Sequence, residues 1–373
     1  MKINLYENKQ VNLKKEPYFF GTARNTQRYD ENNFDFLTNI AMTMQRQFWV
    51  PEEVKLLKDK LDKESFTAQE SHIFDSQLSK LVMLDSYQGR MPLLTFGQLT
   101  TNPELEGALL EQTYFEARLH SRSYSYMIEN MYTDPDEIFN SSWHNEVLSK
   151  HTDSVVLYGN DLYEKTIEYL YKQMKSISVS DEEFYNLKKT LFMNLVSMNS
   201  LEGLRFYVGF AAVWAITEFT GKIPGSSRIL AFIQRDEKQH LAFTQYLINS
   251  LKKTKEFKKI WNEVQAEIYD LYFTVSEEEM EWADYLFNKG SVIGMNAEIG
   301  KSYVKYLTNQ RLLAIGMKPI YPDSKTLPMK WVNKYINLHN SEQSLQEVEA
   351  LDYITDPIKH ENITDVKAIY DSL

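Results

Sequence analysis

The stretch ILAFIQRDEKQHLAF, residues 229–243, places two metal-binding residue types on the apolar side of a helix. Ile229, Ile233, Glu237 and His240 recur at helical spacing, so a carboxylate and an imidazole share the aliphatic face. On its own a Glu-x-x-His pair is typical of a helix surface. Three further stretches with the same property change that interpretation.

Each of the three places an acidic side chain in an apolar helical stripe: Phe74, Leu78, Leu81 and Asp85; Leu109, Thr113, Glu116, His120 and Tyr124; and Leu191, Leu195, Met198, Glu202 and Phe206. Taken singly they have ordinary alternatives. Asp85 fits a helix-end cap, and Glu116 with His120 fits a surface pair. Glu202 fits a buried pair with Arg205. Tyr124 fits a core tyrosine; alternatively it is a redox partner, about 6 Å along the axis from His120.

Four carboxylates converging in one core would repel one another strongly, and burying each one alone is costly. Two divalent cations remove this problem, because their charge of +4 balances the −4 of the carboxylates. Carboxylates mixed with imidazoles are typical ligands of iron or manganese, and the pattern over four helices is that of di-iron bundles. We therefore predict an all-α, ferritin-like helical bundle with a dimetal-carboxylate site in its core. The predicted ligands are Asp85, Glu116, His120, Glu202, Glu237 and His240.

Composition narrows the class of protein. The 373 residues are 43% hydrophobic and 25% charged, as in ordinary globular chains, and the net charge of −11 without a basic cluster argues against nucleic-acid binding. The absence of cysteine excludes thiolate chemistry within this chain. The opening residues carry no apolar targeting signal, and the longest apolar stretch, about residues 206–219, is too short to span a membrane. We expect a cytoplasmic protein.

Helix signals dominate the chain. Three capping boxes, Thr67-x-x-Glu70, Ser180-x-x-Glu183 and Ser276-x-x-Glu279, and the pair Asn102-Pro103 each predict a helix start. No credible linker divides the pattern, so we predict one domain over residues 1–340 with an irregular N-terminal arm of about 30 residues. Residues 341–373 are polar and acidic, which predicts a flexible C-terminal tail.

Several segments resemble the radical-generating small (beta) subunit of class I ribonucleotide reductase. They are QFWVPEEV (47–54), MLDSYQGR (83–90), HSRSY (120–124), NSLEGLRFYVGF (199–210), RDEKQHL (235–241) and QEVEALDY (346–353). They occur in family order, and the resemblance extends from about Glu16 to Tyr353. It implies an oxidoreductase whose dimetal site activates oxygen and oxidises a tyrosine, for reduction of ribonucleotides to deoxyribonucleotides on a large subunit.

The resemblance also implies a role for each matched position. The six predicted ligands would hold two iron ions, with manganese or a mixed pair as alternatives, and Tyr124 would carry the radical. Trp49, Asp236 and Tyr353 would relay electrons and protons toward the large (alpha) subunit, which the C-terminal tail would contact. A homodimer is expected from the family, and an activating flavoprotein is a further candidate partner.

Two positions depart from the family pattern. The family has Glu-x-x-His before Ser-Arg-Ser-Tyr, whereas this chain has Glu116-Ala-Arg-Leu-His120, with one extra residue. We interpret it as an insertion that leaves both residues on one face and is absorbed as a π-bulge. A regular helix with Glu116 turned away would contradict this. The second departure is Gln112, which stands where many relatives carry an aromatic residue and is a candidate hydrogen-bond donor to a ligand carboxylate.

Two other functional classes share parts of this pattern. Another di-iron oxidase on the same bundle would need a long apolar substrate channel but no tyrosine in the tail. A ferritin-like metal store would not need Tyr124, and a helical scaffold with incidental acidic pairs would bind no stoichiometric metal. The set of Tyr124, Trp49 and Tyr353 favours the reductase subunit over both classes.

Overall fold

The computed structural model describes residues 16–21 and 33–336, and within them every regular element is a helix. No β-strand occurs in these two ranges; extended pairing there is limited to the isolated bridges Phe19–Thr100 and Val292–Met295. The predicted C-terminal tail, residues 341–373, and most of the N-terminal arm lie outside the described residues. None of the described helices is both long enough and apolar enough to cross a membrane.

The α-helices are, in chain order, α1 (Asp35–Arg46), α2 (Leu57–Glu64), α3 (Ala68–Gln88), α4 (Met91–Leu94), α5 (Phe96–Leu99), α6 (Pro103–Tyr114), α7 (Ser121–Met131), α8 (Asp136–His144), α9 (Glu146–Lys175), α10 (Asp181–Ser200), α11 (Tyr207–Thr220), α12 (Pro224–Leu251), α13 (Lys255–Glu263), α14 (Gln265–Leu286), α15 (Ala297–Ala314) and α16 (Asn333–Ile336). Two π-helices interrupt this series. The first, Phe115–His120, joins α6 to α7, and the second, Leu201–Arg205, joins α10 to α11. Short 3₁₀ turns occupy Pro51–Glu53 and Lys330–Val332.

The centre of the bundle is built from the long helices that carry the acidic stripes. Helix α3 packs against the first π-helix, α7 and α11, and α12 packs against α10, α11 and the second π-helix. Helices α9, α14 and α15 lie around this centre. Aliphatic and aromatic side chains fill the space between these helices, so any polar group on their inner faces is removed from water.

Most of the predicted helix starts are confirmed. Thr67 and Glu70 form a reciprocal capping box at α3, Ser180 and Glu183 do so at α10, and the Asn102 side chain accepts a hydrogen bond from Leu105 N at the start of α6.

The predicted helix start at Ser276 is wrong. Helix α14 already begins at Gln265, so Ser276 lies inside it and its hydroxyl donates to the carbonyl of Phe273. The reason is that buried residues continue at helical spacing through Ile268, Tyr272 and Val275. These buried residues continue the helix past Ser276, so Glu279 faces the core and does not cap a helix terminus.

Glu279 forms a fully buried ion pair with Lys80 of α3. The Lys80 ammonium lies 2.7 and 2.8 Å from the two carboxylate oxygens and 4.7 Å from the Trp282 ring, and neither partner is exposed. Burial lowers the pKa of Lys80 to about 8, although the Glu279 carboxylate opposes this shift. The pair joins α3 to α14. Each charge is tolerated in the core only while the opposite charge lies beside it.

Lys80→Met is expected to destabilise the protein by about 3–5 kcal/mol, because it leaves a buried carboxylate without its cation. Arg205, whose Nη1 lies 3.8 Å from Glu279 Oε1, is expected to compensate for only part of the lost stability. Urea unfolding at fixed protein concentration measures the change. The double variant Lys80→Met/Glu279→Leu, which removes both charges, should regain most of the stability. A single variant as stable as the parent protein would contradict this account.

Candidate metal centre

Six side chains from four helical segments meet at the centre of the bundle. They form two groups in which one ligand atom per residue lies within 4.8 Å of every other: Asp85, Glu116, His120 and Glu237 in one group, and Glu116, Glu202, Glu237 and His240 in the other. Two residues, Glu116 and Glu237, belong to both groups. All six side chains are fully buried. The structure therefore brings together every residue that the sequence predicts as a ligand.

The first π-helix accommodates the extra residue between Glu116 and His120. The predicted π-bulge is present over Phe115–His120, and the Ser121 hydroxyl donates to the Glu116 carbonyl oxygen at 3.0 Å. Glu116 points into the cluster, with its carboxylate 2.7 Å from His240 Nδ1 and 3.4 Å from His120 Nδ1. The wider turn keeps the two residues on one face although four positions separate them.

The second π-helix carries Glu202, and no pattern in the sequence predicted it. The same segment directs Arg205 away from the cluster, where its guanidinium donates to Glu278 at 2.7 Å and to Ser154 at 2.8 Å. The alternative of a buried Glu202–Arg205 pair is therefore wrong. Asp85 is not a helix-end cap either, since its side chain lies within the cluster three residues before the end of α3.

Asp236 links the cluster to Trp49. The Trp49 indole N–H donates to Asp236 Oδ2 at 2.8 Å, and the same oxygen lies 3.3 Å from His120 Nε2. The other ring nitrogen of His120, Nδ1, faces the carboxylates of Glu237, Glu116 and Asp85 at 3.3–3.6 Å. A carboxylate behind a histidine that faces a metal site is a common arrangement, because it fixes the tautomer and the ring orientation.

Tyr124 is completely buried, and its hydroxyl donates to Asp85 Oδ2 at 2.6 Å. Burial and the negative charge of Asp85 raise the pKa of Tyr124 well above its usual range, so the phenol holds its proton. Other fully buried tyrosines in the described part of the chain differ. Tyr272 donates to the Asn199 amide oxygen, and the Tyr303 hydroxyl has no hydrogen-bond partner there.

The cluster carries more negative charge than its own hydrogen bonds can balance. Burial and the carboxylates of Glu116 and Glu237 raise the pKa of Asp85 and of Glu202 well above the usual range. Burial lowers the pKa of His240, but Glu116 and Glu237 outweigh it and raise the value to about 9. Protons on these acids and imidazoles therefore offset the negative charge of the cluster. Two divalent cations would replace those protons.

Unpartnered atoms in the cluster fit the same chemistry. Asp85 Oδ1, Glu202 Oε2, Glu237 Oε1 and His120 Nδ1 are buried without a hydrogen-bond partner in the described ranges. Buried polar atoms are normally paired, and those left over in one place indicate a missing ligand. Oxygen and imidazole nitrogen are the donor types that iron and manganese take. The residues present therefore fit a pair of such ions.

Two buried glutamines hold Glu202 from outside the cluster. Gln112 Nε2 donates to Glu202 Oε1 at 3.0 Å, which confirms the predicted hydrogen bond to a cluster carboxylate. Gln88 Nε2 donates to the same oxygen at 2.5 Å and was missed by the sequence analysis. The sequence contains a signal for this contact, because Gln88 follows Asp85 by three residues and so lies on the same helix face. Tyr353, the remaining predicted site residue, lies outside the described residues.

Comparisons with known proteins agree on one family. A model of the ribonucleotide reductase small chain matches residues 31–328. Subunit beta of ribonucleoside-diphosphate reductase 1 from Escherichia coli O157:H7 is 36% identical over 361 residues, which cover 94% of each chain. The corresponding subunit from Enterobacteria phage T4 is 31% identical over 373 residues, with 96% of each chain covered.

A solved structure extends the agreement to the fold. The ribonucleotide reductase R2 subunit from Clostridium botulinum superposes with a TM-score of 0.76 at 28% identity, covering 90% of this chain and 98% of that one. The fold prediction is thereby confirmed, and the family match over residues 31–328 includes the segments that carry the cluster. This chain therefore belongs to the ribonucleotide reductase small-chain family.

Proposed function

We propose that Tyr124 is the radical-bearing residue of this small subunit of ribonucleoside-diphosphate reductase, beside two iron ions held by the six-residue cluster. Family membership implies a large subunit as partner and a dimeric small subunit. The observation that carries the proposal is the overlap of the two four-residue groups at Glu116 and Glu237. Two shared carboxylates are what a closely spaced pair of metal ions requires.

The two groups assign the residues to two ions. Asp85 and His120 would bind one ion, Glu202 and His240 would bind the other, and the shared carboxylates would bridge them. Four carboxylates balance two divalent cations, so the loaded site is close to neutral within an apolar core. When bound, the metal pair would supply the oxidising power for the phenol, with molecular oxygen as the oxidant.

The surroundings of Tyr124 suit a proton-coupled oxidation. An electron lost from the phenol requires loss of its proton, and Asp85 Oδ2 accepts the hydrogen bond at 2.6 Å. Tyr303, equally buried, has no acceptor in the described ranges, which makes its oxidation harder. Complete burial of Tyr124 also keeps water and external reductants away from the oxidised ring.

The contact between Trp49 and Asp236 supports the relay. An electron leaving the Trp49 indole can be accompanied by its N–H proton, which already points at Asp236 Oδ2. The same carboxylate oxygen lies beside His120, so Trp49 and the cluster are joined through one side chain. We assign the next step to Tyr353, with residues 341–373 as the contact for the large subunit. These two assignments and a cytoplasmic location stay predictions from the sequence.

Reconstitution of the purified full chain tests the proposal. Loading with Fe(II) under anaerobic conditions and then admitting oxygen should give two iron ions per chain and the electron paramagnetic resonance signal of a phenoxyl radical. Adding the large subunit should then allow reduction of ribonucleoside diphosphates. Parallel loading with Mn(II), with and without a reduced flavoprotein, separates the metals and tests the flavoprotein as a partner. Absence of a radical under all of these conditions would refute the assignment of Tyr124.

Replacing two of the glutamates should separate shared from unshared ligands. Glu202→Gln is expected to lower the metal content from two ions per chain to one, because Glu202 belongs to one group only. Glu237→Gln should remove tight binding of both ions, because Glu237 belongs to both groups. Metal analysis after gel filtration provides the measurement. Equal losses in the two variants would contradict the bridging assignment.

A further inference from the structure

One oxygen of the Glu202 carboxylate accepts hydrogen bonds from two amides on different helices. Gln88 is the last residue of α3 and Gln112 lies in α6, yet both Nε2 groups reach Glu202 Oε1, at 2.5 and 3.0 Å. The second oxygen, Oε2, has no hydrogen-bond partner within the described residues. The two oxygens of this carboxylate therefore have different surroundings.

The orientation of the two amides follows from their chemistry. A carboxylate oxygen accepts hydrogen bonds but donates none, so an amide carbonyl turned toward it would be repelled. The N–H side of each glutamine must then face Glu202, and the Oε1 atoms of Gln88 and Gln112 stay without a partner in the described chain. All three side chains are buried, so water does not compete for these bonds.

This arrangement limits how Glu202 can bind a cation. The two amide donors occupy both lone pairs through which Oε1 accepts hydrogen bonds. A cation held by both oxygens would compete with those donors and leave two buried amides unsatisfied. A cation held by Oε2 alone leaves both hydrogen bonds intact. Among the described residues, Glu202 is the cluster carboxylate in which one oxygen accepts hydrogen bonds from two buried side-chain amides.

We propose that Gln88 and Gln112 act as positioning residues that confine Glu202 to binding its cation through Oε2 alone. The inference rests on the proposed dimetal site and adds to it the binding mode of one ligand. Each glutamine also lies on the same helix face as another cluster carboxylate: Gln88 is three residues after Asp85, and Gln112 is four residues before Glu116. The clamp formed by Gln88 and Gln112 thus ties the position of Glu202 to two of the three helical segments that hold the rest of the site.

The test uses the full chain loaded with Mn(II) and the variants Gln88→Met, Gln112→Met and the double variant. Methionine keeps a similar length and removes the N–H donor. Crystal structures of the Mn(II)-loaded proteins should show one Glu202 oxygen on the metal in the unchanged protein and two in the double variant. Titration with Mn(II) should show the ion at Glu202 bound about 10–100-fold more weakly in the double variant, with the other ion unaffected.

Gln69→Met is the matched control, since Gln69 is a buried glutamine on α3 whose amide donates to the carbonyl of Leu286 instead. It should leave the binding mode and both affinities unchanged. Single-oxygen binding and unchanged affinity in the double variant, or in both single variants should the double fail to fold, would overturn the clamp while leaving the metal site in place. Failure of the unchanged protein to bind either Mn(II) or Fe(II) would overturn the metal site and the clamp with it.

Discussion

Replacing Tyr124 with phenylalanine is expected to abolish both the phenoxyl radical and nucleotide reduction with the large subunit, while metal content stays at two ions per chain. The change removes one oxygen atom, the donor to Asp85 Oδ2, from a completely buried position. No ligand atom is lost, and we expect a stability cost of only about 1 kcal/mol for the missing hydrogen bond. Metal analysis, electron paramagnetic resonance and turnover with the large subunit measure the three properties separately.

Tyr303→Phe is the control for this variant. Tyr303 is fully buried as well, but its hydroxyl has no partner among residues 16–21 and 33–336. Its removal should leave the radical, the metal content and turnover unchanged. Full turnover in Tyr124→Phe would show that the tyrosyl mechanism is wrong, whatever metal the site holds.

Trp49→Phe should stop nucleotide reduction while leaving the Tyr124 radical and the metal ions in place. The substitution removes the indole N–H that donates to Asp236 Oδ2, and so breaks the connection from the cluster to Trp49. Phenylalanine can keep the aromatic contact with Phe232, whose ring centre lies 5.1 Å away, so part of the local packing is retained. Simultaneous measurement of radical content and turnover is needed, because the prediction is that the two separate.

Trp214→Phe tests whether loss of any buried indole has the same effect. The Trp214 N–H donates to the Ser227 carbonyl oxygen, and nothing in the described structure joins it to Asp236. Turnover should therefore survive in this variant, apart from a loss of stability. If Trp49→Phe loses the radical together with turnover, Trp49 supports formation of the radical and not its transfer.

Local patterns predicted much of the molecule correctly. The capping boxes at Thr67 and Ser180 are interactions across one helical turn, so residues three apart are sufficient to specify them. The one-residue excess between Glu116 and His120 predicted a π-helix for a similar reason, because both residues had to stay on one face. Ser276 shows the limit of such patterns: the same spacing occurs inside α14, where the surrounding buried residues override it.

The spacing of apolar and acidic residues along the chain predicted which helix faces are buried and which of their residues are acidic, because burial follows the helical period. It therefore specified the six members of the cluster. Contacts between distant helices are visible only in the folded structure: Arg205 pairs with Glu278, Lys80 pairs with Glu279, and Gln88 joins Gln112, the predicted donor, on one oxygen of Glu202. These partners are 73 to 199 positions apart in the chain. Helical periodicity identifies the face of a helix on which a residue lies, whereas the packing of distant helices determines what that face meets.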